Sequence, residues 1–459
     1  ALAGDVIFAN GVVGALQIEL SNLKLEHFGA LGDGSTDDTS AITDAISRGD
    51  ATRGACINLG PKRYEYSSFT VDRPIRFTGV TDITQLRTSL TTGTKVLVTT
   101  TRQCIFKNII FSGASAQVSG EVIRIDSGVA QNTRTHFNNC VFAACYDAIV
   151  TVTCVSLRLT NNYFVSYQRR ALTIENTIIN DAGNHVLIGN TFDAGAQVAA
   201  VGIYQKNSGG LRCLGNKWLA GAYHYLAEII ETGASPLPTS IVMFNGNSFE
   251  NCTTAGIQFN GISPFVFKYV QVTGNQFSLS GAKGVSISPA AYQHIDGFSI
   301  IGNLFKLAQD GATSIDLASC TSGIIGENYH KGVGINESGI LIANDCSDIT
   351  IGSQHITDVP TKYTVGASAT DIKFTGALSE SGNESTTTPL AYGTLYASAG
   401  VVIAFSESFP VVPDVNLTMI TSGGALSVAA TNITASGFTA IAYGVVNGGS
   451  VSFDWNARL

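Results

Sequence analysis

Five short segments, Gly189-Asn-Thr-Phe192, Gly215-Asn-Lys-Trp218, Gly246-Asn-Ser-Phe249, Gly274-Asn-Gln-Phe277 and Gly302-Asn-Leu-Phe305, spell one pattern at nearly even intervals. With Thr160-Asn-Asn162-Tyr-Phe164 ahead of them, the aromatic positions 164, 192, 218, 249, 277 and 305 lie 28, 26, 31, 28 and 28 residues apart. Weaker copies stand at Asn139-Cys-Val-Phe142 and Gly326-Glu-Asn328-Tyr329. Each copy follows a short β-type run such as Val186-Leu-Ile188 or Val270-Gln-Val272. A second run follows each copy, among them Gly202-Ile-Tyr204, Glu228-Ile-Ile230, Gly256-Ile-Gln-Phe259 and Gly284-Val-Ser-Ile287. Two or three short strands per repeat, irregular spacing between them and no helical period are the pattern of a parallel β-helix. Gly and Asn tolerate left-handed backbone angles at a corner. A stacked Asn can bond the main chain of the next coil at each ~4.8 Å step, and the aromatic two positions on turns inward.

Composition agrees with the repeat. Charged residues are only 13% of the chain, 49 residues are Gly, and Met and Pro number 2 and 10. This is poor material for amphipathic helices and good material for strands and turns. A net charge of −8 with no basic run argues against a nucleic-acid partner, which needs Lys and Arg against phosphates. No stretch is long and apolar enough to span a membrane, and the first residues lack the basic and apolar regions of a signal peptide. The nine cysteines form no C-x-x-C pair, and several sit in apolar runs. They read as buried free thiols of a protein assembled in a reducing cytosol, with no metal cluster.

Residues 27–48 contain Phe28-Gly-Ala-Leu-Gly-Asp33-Gly34-Ser-Thr36-Asp37-Asp38-Thr39-Ser-Ala41-Ile42. Asp37, Asp38 or Thr39 can cap a short helix whose apolar stripe is Ala41, Ile42, Ala45 and Ile46, and such a helix would cover the open end of a solenoid. A phosphate loop lacks its G-K-[ST] and a calcium loop its spacing, so these carboxylates read as structural. The motif F-G-A-x-G-D-G-x-x-D-D-T-x-A-I, followed by Pro61-Lys-Arg-Tyr-Glu-Tyr66, resembles the opening of the pectate-lyase-like β-helix superfamily, particularly phage tailspikes and capsule depolymerases. The resemblance implies a right-handed parallel β-helix, a homotrimer fixed to a virion tail through its N-terminus, assembled in the host cytoplasm. It also implies binding and cleavage of bacterial surface polysaccharide, O-antigen or capsule. The catalytic sets of polygalacturonases and classical pectate lyases are missing, so the resemblance transfers no site.

The expected organisation is a neck segment over 1–24, the β-helix with its capping helix over 25–378, a linker over 379–389 and a C-terminal antiparallel β-sandwich over 390–459. Phe405-x-x-x-Phe409-Pro-x-Val-Pro413, Ser436-Gly-Phe438 and Trp455-x-Ala457 resemble the H-type lectin fold, a trimeric module that either caps the trimer or binds glycan.

Glycan hydrolysis needs one carboxyl to protonate the leaving oxygen and another to activate water or attack. Aligning the second runs by sequence puts Glu228 in a column of glycines, Gly202, Gly256 and Gly284, with Glu231 three residues on. Asp193 and Glu250 follow the corner aromatic on coils either side, two rungs or roughly 9.6 Å apart. The expected catalytic carboxylates are therefore Asp193, Glu228, Glu231 and Glu250, with Asp193 and Glu228 one coil apart. Tyr204, Trp218, Tyr223, His224 and Tyr225 are the expected substrate-binding residues, although Trp218 is in phase with the core aromatics. A lyase, using Tyr204, Lys206, Arg212 or His224 as base or neutraliser, is the alternative on the same fold. A non-catalytic receptor-binding fibre is the second alternative. Neither a metal nor an organic cofactor is called for.

Overall fold

The computed structural model describes residues 5–7, 13–15 and 22–379, less 52, 101, 114–117, 127, 129–133, 153, 176–183, 207–209, 230–240, 262–265, 280–281, 288–293, 309, 334–335, 344, 367–368 and 376–377. Towards the C-terminus it describes 392–396, 401–404, 412, 414–421, 427–443 and 450–458. Three long parallel sheets run through residues 23–379. Sheet I has 14 strands, from Leu23–Lys24 through Leu211–Leu214 to Thr370–Phe374. Sheet II has 14, from Asp33–Asp37 through Lys217–Leu219 to Leu378–Ser379. Sheet III has 12, from Phe69–Val71 through Tyr223–Ile229 to Thr361–Val365. Each coil passes I, II, III and re-enters sheet I one strand further on, which is a parallel β-helix.

The strand interiors alternate as a half-buried sheet requires. In Leu211–Leu214, Leu211 and Cys213 are buried while Arg212 is exposed. From Gly189-Asn190 to Gly302-Asn303, two residues turn sheet I into sheet II. The first residue of each corner is left-handed: Asn139, Asn161, Gly189, Gly215, Gly246, Gly274, Gly302 and Glu327 all have positive φ. The second is a buried rung of a ladder running Asn162, Asn190, Asn216, Asn247, Asn275, Asn303, Asn328 and Gln354. Asn216 is typical. Its Oδ1 accepts the Asn190 backbone N–H and Nδ2–H at 2.9 Å each, and its Nδ2 donates to Leu187 O and Asn247 Oδ1 at 2.9 and 3.1 Å. At the N-terminal end Cys140 takes the place of Asn: its backbone N–H donates to Asn162 Oδ1 at 2.9 Å and its thiol to Phe106 O of the preceding coil at 3.4 Å.

The aromatic after each corner stacks inward as the repeat implied, except in the weaker copy at 326–329, where His330 and not Tyr329 enters the column. Phe142, Phe164, Phe192, Trp218, Phe249, Phe277, Phe305 and His330 form one column with ring centroids 4.6–5.1 Å apart. All nine cysteines are free and eight are buried; burial pushes the thiols of Cys104, Cys140, Cys145 and Cys252 up to about 12.

The expected helix spans Thr39–Arg48, burying Ala41, Ile42, Ala45 and Ile46 against the first coil. Asp38 stands at its N-cap position without capping it. Its carboxylate instead accepts the Leu31 and Gly32 backbone N–H groups at 2.8 and 3.1 Å, while Asp37 accepts that of Thr39 at 2.9 Å. Asp33 accepts those of Ser35 and Thr36, so all three carboxylates hold the turn.

In the N-terminal stretch, Asp5–Ile7 and Val13–Ala15 pair antiparallel. In the C-terminal part, Tyr392–Tyr396, Ser450–Arg458 and Asp414–Thr421 form one three-stranded antiparallel sheet, and Val401–Ala404, Gly437–Tyr443 and Ser427–Thr434 another. Residues 380–389 of the expected linker lie outside the described residues. No described helix is long and apolar enough to cross a membrane.

Replacing Asn247 by Ala removes an acceptor from Asn216 and a donor from Cys213 O, both buried. Orphaned buried groups cost about 1–3 kcal/mol each, so Asn247→Ala is expected to lower stability by roughly 2–5 kcal/mol in urea denaturation. Replacement of exposed Asn245 by Ala, one corner position away, leaves the midpoint within error.

Candidate functional site

The three sheets offer three outer faces, and polar chemistry is unequally spread over them. On sheet III the pairing aligns Glu175 with Lys206, Lys206 with Glu228 and Glu228 with Asn260. Glu228 and Glu175 therefore stand two rungs apart on one column with Lys206 between them. Lys206 Nζ binds Glu175 Oε1 at 2.7 Å. Tyr204, whose ring is nearly buried on the same face, donates its hydroxyl to Glu228 Oε2 at 2.6 Å. The Arg170 guanidinium lies over that ring, Cζ 3.6 Å from the centroid. Burial, reinforced by Glu228, raises the Tyr204 pKa well above the ordinary phenol range, so the hydroxyl stays protonated. Burial also pulls the Arg170 pKa down, with neighbouring Arg169 adding to it.

One rung earlier, buried Asp147 pairs in register with Arg170 and is held by the Arg169 guanidinium, Nε to Oδ1 at 2.9 Å with Nη2 on Oδ2. Burial raises the Asp147 pKa and Arg169 opposes it. The column ends where sheet III leaves for sheet I, the variable part of every coil. That connection is two residues long at 318–319 and twelve at 230–241, whereas the Asn corners from 189 to 303 take two residues each time.

Several sequence expectations are corrected by the register. His224, not Glu228, occupies the glycine column: Tyr223 pairs with Val201 and Ala255, which places His224 beside Gly202 and Gly256. A Cβ on Gly202 would lie 2.8 Å from the Trp218 ring and one on Gly256 3.0 Å from Phe277, so this column is small because the aromatic stack fills the space. His224 fits by laying its ring on Phe249, centroids 5.9 Å apart, fully buried. The sequence alignment slipped by four residues because the strand Tyr223–Ile229 begins earlier in its coil than Glu228-Ile-Ile230 suggested.

Trp218 is likewise fully buried between Phe192 and Phe249, and Tyr225 is buried with its hydroxyl on Gln205 Oε1 at 2.8 Å. None of Trp218, His224 and Tyr225 can face a glycan. Tyr223 is half-buried at the start of its strand. Asp193 and Glu250 do share a column of sheet II, with Leu219 between them. Asp193 accepts from the Gly195 N–H and the Tyr163 hydroxyl, and Glu250 pairs with Lys217 at 3.3 Å and accepts from Ser248. Asp193 and Glu228 are not brought together: Glu228 is the sixth residue of a sheet III strand, about 17 Å along it from the corner that follows sheet II. Glu231 lies outside the described residues. Arg170 and the Asp147–Arg169 pair were missed, although Arg169-Arg170, five and six residues after the Phe164 corner aromatic, was a readable signal. No group of three or more potential metal ligands occurs among the described residues.

No family model matches the chain, and no curated protein matches it. Solved structures do. The tailspike protein gp49 from Pseudomonas phage LKA1 superposes with a TM-score of 0.53 at 12% identity, covering 95% of this chain and 99% of that one. The chain shares the parallel β-helix fold of that tailspike. DFA-IIIase from Arthrobacter chlorophenolicus A6 follows at 0.51 and 14%, covering 72% and 95%. The A-module of the Azotobacter vinelandii mannuronan C-5 epimerase AlgE6 gives 0.50 and 15%, covering 77% and 99%. At these identities the shared property is the parallel β-helix itself.

Burial lowers the pKa of three histidines of this solenoid, His185 and His330 to about 4 and His224 to about 3. The unfolded chain takes up these protons near pH 6.5 and the folded chain does not, so stability present above pH 6.5 is lost as pH falls toward 4. Melting temperature against pH is expected to show that decline, shallower in His224→Gln. Truncating the stacked indole in Trp218→Ala is expected to cost about 3–5 kcal/mol in the same protein, a core effect.

Proposed function

We propose that this protein is a tailspike depolymerase that binds bacterial surface polysaccharide and hydrolyses its glycosidic bonds on the outer face of sheet III. The observation that carries the reading is the column Glu175, Lys206, Glu228 with the Tyr204 hydroxyl on Glu228. Two carboxylates on alternate rungs are roughly 9.6 Å apart at the backbone, near the upper end of the separation that leaves room for a water under an inverting mechanism. Glu228, held by the Tyr204 hydroxyl, and Glu175, its charge matched by Lys206, are assigned as the two carboxyl groups of the reaction, one protonating the leaving oxygen and the other activating water. Arg170 positions Tyr204 by covering its ring.

The held phenol proton favours hydrolysis over elimination, because a lyase using Tyr204 as base would need the tyrosinate. In this reading the N-terminal segment joins the virion tail, three chains assemble, and the C-terminal module caps the trimer. Glu250 and Asp193 on sheet II remain outside the reaction.

Glu228→Gln is expected to reduce the release of new reducing ends from host polysaccharide by about 10²-fold or more, and Tyr204→Phe by less, while Glu250→Gln retains activity. Full activity in Glu228→Gln, or products absorbing as unsaturated uronates, would overturn the assignment.

A further inference from the structure

The first part of sheet I carries cations without acids. Its strands Ala55–Asn58, Ile75–Thr78, Cys104–Lys107, Arg134–Asn138, Ser156–Thr160, His185–Ile188, Leu211–Leu214 and Val242–Asn245 contain no Asp or Glu, in a chain of net charge −8. They contain Arg76, Lys107, Arg134, Arg158 and Arg212. The pairing runs Arg76, Ile105, His136, Arg158, Val186, Arg212 along one column, and the alternate column, Phe77, Phe106, Phe137, Leu159, Leu187, Cys213, is the buried one. The five cations therefore project outward. Arg76, Arg134, Arg158 and Arg212 are exposed and Lys107 is half-buried. None of the five has a carboxylate partner among the described residues, whereas sheet III pairs Lys206, Arg124, Arg169 and Lys283 with acids. On an acidic protein, an unneutralised run of cations on one face makes a local positive potential that attracts an anion.

We infer that the outer face of sheet I between Arg76 and Arg212 binds an anionic polysaccharide, lying along the solenoid axis and carrying a carboxylate on only some of its sugars. The inference deepens the proposed function, on which it rests for the class of ligand. Its support is charge complementarity and pitch. One rung, ~4.8 Å, is close to the length of one pyranose. Within the column, Arg158 to Arg212 spans two rungs and Arg76 to Arg158 three, and Lys107 and Arg134 flank the column on the two rungs between Arg76 and Arg158. Charges spaced by two or three sugars match that interval. Nucleic acid, with a phosphate at every nucleotide, is far denser in charge. The face lies on a different sheet from Glu228, so it would hold the polymer and leave cleavage to sheet III.

The test uses the full-length protein with hyaluronan, which has a carboxylate on alternate sugars, neutral dextran and a single-stranded oligonucleotide as probes. Salt-dependent binding of hyaluronan, absence of dextran binding, and a loss of about tenfold or more in the triple variant Arg134→Gln/Arg158→Gln/Arg212→Gln support the inference. Unchanged melting shows that the variant is folded; should it fail to fold, single Arg158→Glu and the salt dependence of the native protein carry the same decision. Equal hyaluronan binding by native and variant protein, no binding by the native protein, or tighter binding of the oligonucleotide overturns it. So does dissociation of a native oligomer by the triple variant, which would make this face a subunit interface. Cleavage of host polysaccharide that is indifferent to the triple variant removes the cationic face and leaves the hydrolase. Hyaluronan binding by this face in a protein that yields no new reducing ends from host polysaccharide removes the hydrolase and leaves the face.

Discussion

Everything in this molecule is built on the pairing of each coil with the next at one strand spacing, and on the buried asparagine ladder that locks the pairing at one corner. A buried amide must find partners for both its oxygen and its NH₂. Here the oxygen takes the backbone and amide N–H of the preceding Asn, while the NH₂ reaches a carbonyl of the preceding coil and the amide of the next. A register slip of one residue would bury these amides without partners, so the ladder specifies the register as well as stabilising it. The left-handed residue before each Asn and the aromatic after it follow from the same geometry. One sets the corner, and the other fills the space beneath it.

A solenoid locked in this way repeats its interior and frees its exterior. Inside, like stacks on like: phenylalanines with ring centroids under 5 Å apart, interrupted by Trp218 and His330 without loss of the stack. Outside, stacking at the same interval would set like charges against each other, so most outward columns are Ser, Thr, Asn and aliphatic residues. Where charges do occur they are sorted by sheet. Sheet III alternates acids with cations and buries Tyr204 and Asp147 among them, while the first part of sheet I carries cations alone. The low charge content thus reflects the rung spacing, and the exceptions mark the two faces assigned to the polysaccharide.

Glu228 shows how counting along the chain can misplace a residue: its neighbours are Lys206 and Asn260, and the intruder among the glycines is His224. Counting from one corner cannot locate a strand that starts early in an unusually long coil. The pairing of Asp193 with Glu228 failed for a related reason. One coil apart in sequence means one rung apart in space only within the same sheet.

Read as sequence, the repeat determined the solenoid, the inward aromatic stack and the asparagine corner, local patterns whose side chains meet their own copies one coil away; the capping helix and the buried thiols were legible from their own apolar surroundings. The outer faces were decided by tertiary structure. Which of Trp218, Tyr204, Tyr223, His224 and Tyr225 face solvent depends on where each strand begins and on the pleat, and a shift of one residue exchanges inside for outside. The alignment of Glu175, Lys206 and Glu228, and the cationic column on sheet I, join residues from separate coils through backbone pairing. That pairing depends on connections whose lengths vary from coil to coil, so only the folded chain states which residues share a column.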